Sequence, residues 1–159
     1  IFAKLVQTTP AELVLCGGGP MLAQLKKKAI QLDLEAQVHF LGHCDNPFPI
    51  LSQADLFLLS SEAEGLPNAL IEAQGLGLCA VSTRCDFGPD EIIVHGETGL
   101  LVDVDDQAQF ITSIRQLLAD GPLRNRMGAK ARQRVRQQFS YDRRCRQWED
   151  LLVASTQRS

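Results

Sequence analysis

The stretch Ser60-Ser61-Glu62-Ala63-Glu64-Gly65-Leu66-Pro67-Asn68-Ala69-Leu70-Ile71-Glu72-Ala73 decides how this chain folds. It follows the run Asp55-Leu56-Phe57-Leu58-Leu59, which reads as a buried parallel strand bounded by turn residues. Pro67 stands close to the first position of a helix, where a missing N–H costs nothing. Gly65 is expected to supply the backbone freedom for the turn between the two elements. A strand, a tight turn and a helix whose first N–H groups are free form an anion site suited to a phosphate or diphosphate. Glu72 lies about one and a half turns into that helix. A carboxylate there repels phosphate but accepts hydrogen bonds from a vicinal diol. Phosphate donors beside a diol acceptor describe a nucleotide site.

Outward from this stretch, strands alternate with helices. Strands are expected at 12–16, 38–41, 56–59, 78–82 and 99–102. Helices are expected from Pro20, with apolar residues at Leu22, Leu25, Ala29, Ile30 and Leu32, and from Asn46-Pro47 to Gln53. Residues 1–7 read as a helix end, 91–94 as a helical turn, and 105–159 as helical with breaks at Gly121-Pro122 and Ser140. This alternation predicts an α/β domain with a doubly wound parallel sheet, one domain over 1–159.

Composition fits a globular protein, 45% apolar and 22% charged, and a net charge of −3 gives no reason to expect nucleic acid as a partner. Five cysteines without a CxxC pair make neither a disulfide framework nor a zinc site, so no metal is expected. Cys16 and Cys79 sit in apolar runs and are expected to be buried. A reducing, cytoplasmic setting fits this cysteine usage. No apolar run approaches the ~20 residues of a membrane span. Residues 121–146 hold nine Arg or Lys against one acid, Asp142. Such a run is ordinarily a solvated face, with peripheral contact to an anionic membrane surface, such as its inner face, as the alternative.

Glu64 and Glu72, with seven residues between them, resemble the Glu-x7-Glu signature of retaining GT-B glycosyltransferases, most closely glycosyltransferase family 4. Further matches stand in family order: Leu15-Cys16-Gly17-Gly18-Gly19-Pro20, Val38-His39-Phe40-Leu41-Gly42, Ala54-Asp55-Leu56-Phe57, Gly88-Pro89-Asp90-Glu91-Ile92-Ile93 and Gly96-Glu97-Thr98-Gly99-Leu100-Leu101-Val102. Together they span nearly the whole chain. The resemblance implies the Rossmann-like, carboxyl-terminal half of a GT-B fold, which binds a nucleotide-sugar donor without a metal or other cofactor. It implies a hexosyltransferase of polysaccharide or glycoconjugate synthesis, working on a sugar or lipid-linked acceptor, with a UDP-sugar the favoured donor.

The same resemblance assigns roles. Glu72 takes the ribose hydroxyls and Glu64 the transferred sugar or its diphosphate, as the catalytic position. Backbone groups around Gly65, Leu66, Pro67, Asn68, Ala69 and Leu70 meet the diphosphate. The loop Gly17-Gly18-Gly19-Pro20 lies near the donor, and Gly42 and His43 lie near the base. Plainer readings stand beside these. The glycine loop is equally a strand-to-helix turn, His43 an ordinary loop histidine, Asn68 a helix cap, Glu64 an acid favoured by the helix dipole. The loop Asp86–Glu91 reads as a turn, with Glu91 a candidate contact at the cleft rim. A non-catalytic α/β nucleotide-binding or regulatory module and a nucleotide-sugar epimerase of similar fold are the alternative functions.

The chain opens at Ile1, in mid-pattern, and reads as a fragment truncated at its N-terminal edge. The family's first strand of this domain, with the Arg and Lys that follow it, and the acceptor domain have no counterpart in it. In the strand order 3-2-1-4-5-6 that first strand is central, so a gap is expected in the sheet. The fragment alone is expected to bind nucleotide weakly and not to turn over.

Overall fold

The computed structural model describes residues 1–156. The elements run α1 (Phe2–Leu5), β1 (Leu13–Cys16), α2 (Leu22–Gln31), β2 (Val38–Gly42), α3 (Phe48–Leu51), β3 (Leu56–Leu59), α4 (Asn68–Gly75), β4 (Cys79–Arg84), α5 (Pro89–Ile92), β5 (Gly99–Asp103), α6 (Gln107–Ala119), α7 (Gly121–Gln138) and α8 (Tyr141–Thr156). The five expected strands are present, with β4 beginning one residue later and ending two later than the apolar run implied.

All pairings are parallel, and the strands fall into two sheets, β1-β2 and β3-β4-β5. This is the doubly wound order with its central position unfilled by any described strand. Burial follows pairing. β4, paired on both sides, is buried from Cys79 to Thr83, whereas β3 is only half-buried and β1 alternates between half-buried and exposed. Val14 of β1 is 43% exposed, unusual for an apolar strand residue and consistent with a sheet face that lacks cover.

The alternation of strand side chains sorts the core into two layers. Cys79 and Val81 of β4 join Leu100 and Val102 of β5 beneath Phe110, Ile114 and Leu117 of α6 and Met127 of α7. On the other face Ala80 and Leu101 pack with Leu70 of α4 and with Ile92 and Ile93. The spacing of Phe110, Ile111, Ile114 and Leu117 makes the apolar stripe by which α6 reaches the sheet. Asp106 and Asp120 cap α6 and α7, each accepting a backbone N–H at 2.8 Å, from Gln109 and Leu123. The break foreseen at Gly121-Pro122 is thus a helix start fixed by Asp120. Helix α7 crosses the turn between α4 and β4 so closely that a Cβ on Gly128 would lie 2.0 Å from the Gly77 carbonyl oxygen, so only glycine fits.

Most of the described basic run is exposed, as a solvated face is, and part of it is also engaged within the chain. Arg124 pairs with Asp55 at 2.8 Å and donates to the Leu117 carbonyl at 2.7 Å, closing the carboxyl end of α6. Lys130 faces Glu97, Arg134 donates to the Glu91 and Ile92 carbonyls, and Arg143 donates to that of Gln137. These side chains therefore act as internal ties, a role that charge counting did not foresee. The side chains of Asp142 and Arg144 lie outside the described residues. No helix among the described residues is long and apolar enough to cross a membrane.

Candidate functional site

The carboxyl end of β3 leads through Ser60–Pro67 into α4, the strand–turn–helix expected of the stretch. Pro67 holds the N-cap position in an extended conformation, and the first ladder bonds run from the Leu70 and Ile71 N–H groups to its carbonyl. The N–H groups of Asn68 and Ala69 stand ahead of that ladder, where an anion finds donors and the positive end of the helix. Asn68 makes no side-chain cap bond at this helix and is exposed, so the capping reading does not hold. Glu72 is exposed on the second turn, between half-buried Ile71 and fully buried Ala73. A carboxylate in open solvent there has nothing to stabilise within the chain.

Glu64 is half-buried and held. The Ser61 hydroxyl donates to its Oε1 at 2.7 Å. The Thr83 hydroxyl of β4 contacts the Ser61 carbonyl at 2.6 Å and the Leu59 carbonyl at 3.3 Å. A buried strand residue therefore fixes the loop, and the loop fixes the carboxylate. Ser61 links the two, its hydroxyl to Glu64 and its carbonyl to Thr83. Thr83 was missed because it looks like any β-branched residue in a buried strand; a polar residue at the carboxyl end of an apolar run was the available signal.

The turn is clamped from its other side by Gly88. This residue has φ of +89°, and a Cβ there would lie 2.5 Å from the Gly65 carbonyl oxygen and 2.6 Å from Pro67 Cδ. Gly65, by contrast, is not among the left-handed glycines, and space beside it is open. The conformational freedom assigned to Gly65 belongs to Gly88, because the close approach of two loops, rather than the turn itself, demands a missing side chain. The loop Asp86–Glu91 is accordingly more than a local turn. Burial pushes the Cys85 thiol pKa up, and the carboxylates of Glu64, Asp86 and Asp90 nearby push it the same way. Glu91 is exposed, its carbonyl held by Arg134 at 2.8 Å.

A second group of expected residues gathers at the ends of β1 and β2. Gly17 donates its N–H to the Gly42 carbonyl at 2.7 Å, joining the two loops. Gly17, Gly19 and Gly42 have φ of +134°, +133° and +70°, and no atom lies within 4 Å of where their Cβ atoms would be. Backbone freedom and open space coexist there, as the turn reading requires and as leaves room for a ligand. Gly18 and Pro20 are exposed beside them. His43 is exposed and pairs with Asp45 at 3.2 Å. Cys16, expected to be buried, is exposed at the end of β1, because this strand has no cover on that side. Cys79 is buried as expected, which pushes its thiol up to about 11.

Both groups lie at carboxyl ends of parallel strands, where open α/β sheets bind ligands. A cleft of about 350 Å³ lined by Thr9, Pro10, Asp55, Arg115, Leu118 and Arg124 lies at the other end of β3 and touches none of them. Among the described residues no three His, Cys, Asp or Glu side chains converge to hold a metal.

The sequence profile of the family described as "Glycosyl transferases group 1" matches residues 1–134. The chain is 37% identical over 150 residues to the N-acetyl-alpha-D-glucosaminyl L-malate synthase of Bacillus anthracis, covering 94% of this chain and 39% of that enzyme. It is also 37% identical over 128 residues to the lipopolysaccharide core biosynthesis glycosyltransferase LpsE of Rhizobium meliloti, covering 80% and 37%. Among solved structures, HepE of Anabaena in complex with UDP superposes with a TM-score of 0.88 at 21% identity, covering 96% of this chain and 44% of that one. Sucrose-phosphate synthase of Thermosynechococcus elongatus superposes with a TM-score of 0.88 at 23% identity, covering 99% and 42%. These structural likenesses establish the fold, and the chain spans about two fifths of the relatives it matches. With the profile covering most of its length, this chain belongs to the group 1 glycosyl transferases, as the Rossmann-like half of a GT-B fold.

Proposed function

We propose that this chain is the donor-binding half of a retaining, family 4 hexosyltransferase and takes a nucleotide sugar, with UDP as the nucleotide. The observation that carries this reading is the arrangement around α4. Glu64 is fixed by Ser61 and Thr83 at the helix entrance, and Glu72 stands in solvent a turn further on. The diphosphate meets the N–H groups of Leu66, Asn68 and Ala69, and Glu72 accepts from the ribose hydroxyls. Glu64 then faces the sugar, and Gly42 and His43, with the Gly17–Pro20 loop, flank the base.

The chemistry follows from charge. As the bond from the sugar to the diphosphate breaks, negative charge grows on the leaving oxygen, and fixed N–H dipoles at a helix start stabilise it without reorganising. The site uses these donors in place of a metal. The acceptor side, a sugar or lipid-linked hydroxyl in polysaccharide or glycoconjugate synthesis, belongs to the part of the protein outside this chain. Support comes from HepE, solved with UDP and with UDP-glucose, and from the relatives' names.

A thermal melt of the chain with UDP, GDP or ADP, repeated on Glu72→Ala, tests the reading. A nucleotide at 100 times its dissociation constant adds about 2.7 kcal/mol, or about 5 to 11 °C for a domain of this size. UDP is expected to give the shift and Glu72→Ala to remove it. A melt indifferent to all three nucleotides, or a shift that survives Glu72→Ala, would sink the proposal.

A further inference from the structure

We infer that Phe87 is a specificity-determining residue, an aromatic platform for the pyranose ring of the donor sugar. The inference rests on the donor-site reading above and adds, beside Glu64, a contact that distinguishes a nucleotide sugar from the bare nucleotide.

Phe87 is anomalous twice. Its φ is +66°, the left-handed region that residues with a Cβ avoid and that bulky side chains occupy least. Its side chain is also 74% exposed, the most exposed of the large apolar residues described. The fold gains almost no burial from the ring and bears the strain of its backbone. Asn or Gly would meet the same conformation more easily. Non-glycine residues held in this region cluster at functional sites, where surrounding structure enforces them.

The enforcing structure is on hand. Gly88, the next residue, is pressed against Gly65 and Pro67, and Arg134 holds the carbonyls of Glu91 and Ile92 on the far side of the same loop. Phe87 is therefore fixed beside the turn that carries Glu64. The charge of Glu64 reaching Cys85, two residues before Phe87, is independent evidence of this closeness. Leu66 on that turn is 45% exposed as well.

A carboxylate and an exposed ring at one rim match the two faces of a pyranose. Its hydroxyls lie round the edge and donate to carboxylates, and its C–H groups form apolar faces that lie against an aromatic π-system. The surrounding acids, Glu64, Asp86 and Asp90, disfavour an anionic occupant at this spot. The diphosphate takes instead the free N–H groups at the helix start.

The test compares each nucleotide with its sugar on one protein. Dissociation constants are measured by titration calorimetry for UDP against UDP-glucose and UDP-N-acetylglucosamine, and for GDP against GDP-mannose. The wild-type chain, Phe87→Asn and Phe87→Tyr are compared, with the melting temperature of each. Phe87→Asn is expected to leave the bare diphosphate unchanged, weaken its matching sugar by about fivefold, equal to about 1 kcal/mol, and not lower the melting temperature. Phe87→Tyr keeps the ring and is expected to restore the sugar affinity. An unchanged ratio of sugar to diphosphate affinity in Phe87→Asn, an equal loss of both, or a lowered melting temperature would overturn the inference while leaving the donor site standing. If neither diphosphate binds the wild-type chain, the donor-site reading fails and takes this inference with it.

Discussion

Replacing Gly88 by alanine tests whether the two loops around Glu64 form one clamped unit. Two costs add. The first is conformational: φ of +89° is unfavourable for any residue with a Cβ, by about 1 to 2 kcal/mol. The second is steric, because the new methyl would sit 2.5 Å from the Gly65 carbonyl oxygen and 2.6 Å from Pro67 Cδ. Both are backbone or ring atoms that cannot rotate away, and overpacking of this kind costs about 1 to 3 kcal/mol. Gly96 supplies the control. It has φ of +78° with no atom within 4 Å of its Cβ position, so Gly96→Ala bears the first cost alone. Each kcal/mol moves the melting temperature of a domain this size by about 2 to 4 °C. Gly88→Ala is therefore expected to melt about 10 °C below wild type and Gly96→Ala about 3 °C below, by circular dichroism. A UDP titration adds the functional half: Gly88→Ala displaces the turn before α4 and weakens the nucleotide, while Gly96→Ala leaves it unchanged. Equal melting temperatures for the two variants, together with wild-type nucleotide affinity in Gly88→Ala, would refute the clamp.

Two further outcomes follow from packing and burial. Alanine is favoured over glycine in a helix by about 1 kcal/mol, yet Gly128→Ala is expected to destabilise by about 3 kcal/mol because its methyl would meet the Gly77 carbonyl at 2.0 Å. Gly75→Ala, whose methyl would lie 3.5 Å from Val135 Cγ1, is expected to stabilise slightly; urea unfolding should give the two variants opposite signs, and two losses or two gains would contradict this packing. For pH, burial raises the Cys79 thiol from 9.0 to about 11, so the unfolded chain loses this proton first. The stability linked to Cys79 is then complete below pH 9 and is lost as pH rises through about 11. Unfolding free energy measured across that range should fall more steeply in the wild type than in Cys79→Ala, and parallel curves would count against it.

The sequence made the elements legible because each has a local cause. Leu56–Leu59 is an uninterrupted apolar run of strand length, and Phe110, Ile111, Ile114 and Leu117 repeat at helical spacing. Glu72 stood out in the sequence as an acid among apolar neighbours, Leu70, Ile71 and Ala73, and the structure leaves it in solvent beside them. What stayed hidden is tertiary. Thr83 reaches Ser61 across 22 positions, and Gly88 meets Gly65 only once β4 has brought the loops together. No window along the chain contains both members of either contact. Within the basic run, exposed for the most part as a solvated face is, the ties of Arg124 and Arg134 stayed hidden for the same reason: their partners lie on other elements, such as Asp55, which is 69 positions from Arg124.

The divided sheet also orders the two groups of candidate residues by how firmly they are held. Glu64 and α4 ride on β3-β4-β5, where β4 is buried from end to end but for Arg84 and contributes the Thr83 hydroxyl that fixes the loop. The Gly17–Pro20 loop and Gly42-His43 ride on two strands with no fully buried residue, joined at their ends by the bond from Gly17 to Gly42. A ligand spanning both groups meets a support packed into the core on one side and a less buried one on the other, and contacts held in place beforehand cost least binding free energy. In the proposed donor complex the diphosphate and sugar fall on the firm side. Charge stabilisation at a departing diphosphate gains most from dipoles fixed before the reaction, so that is the side on which rigidity serves catalysis.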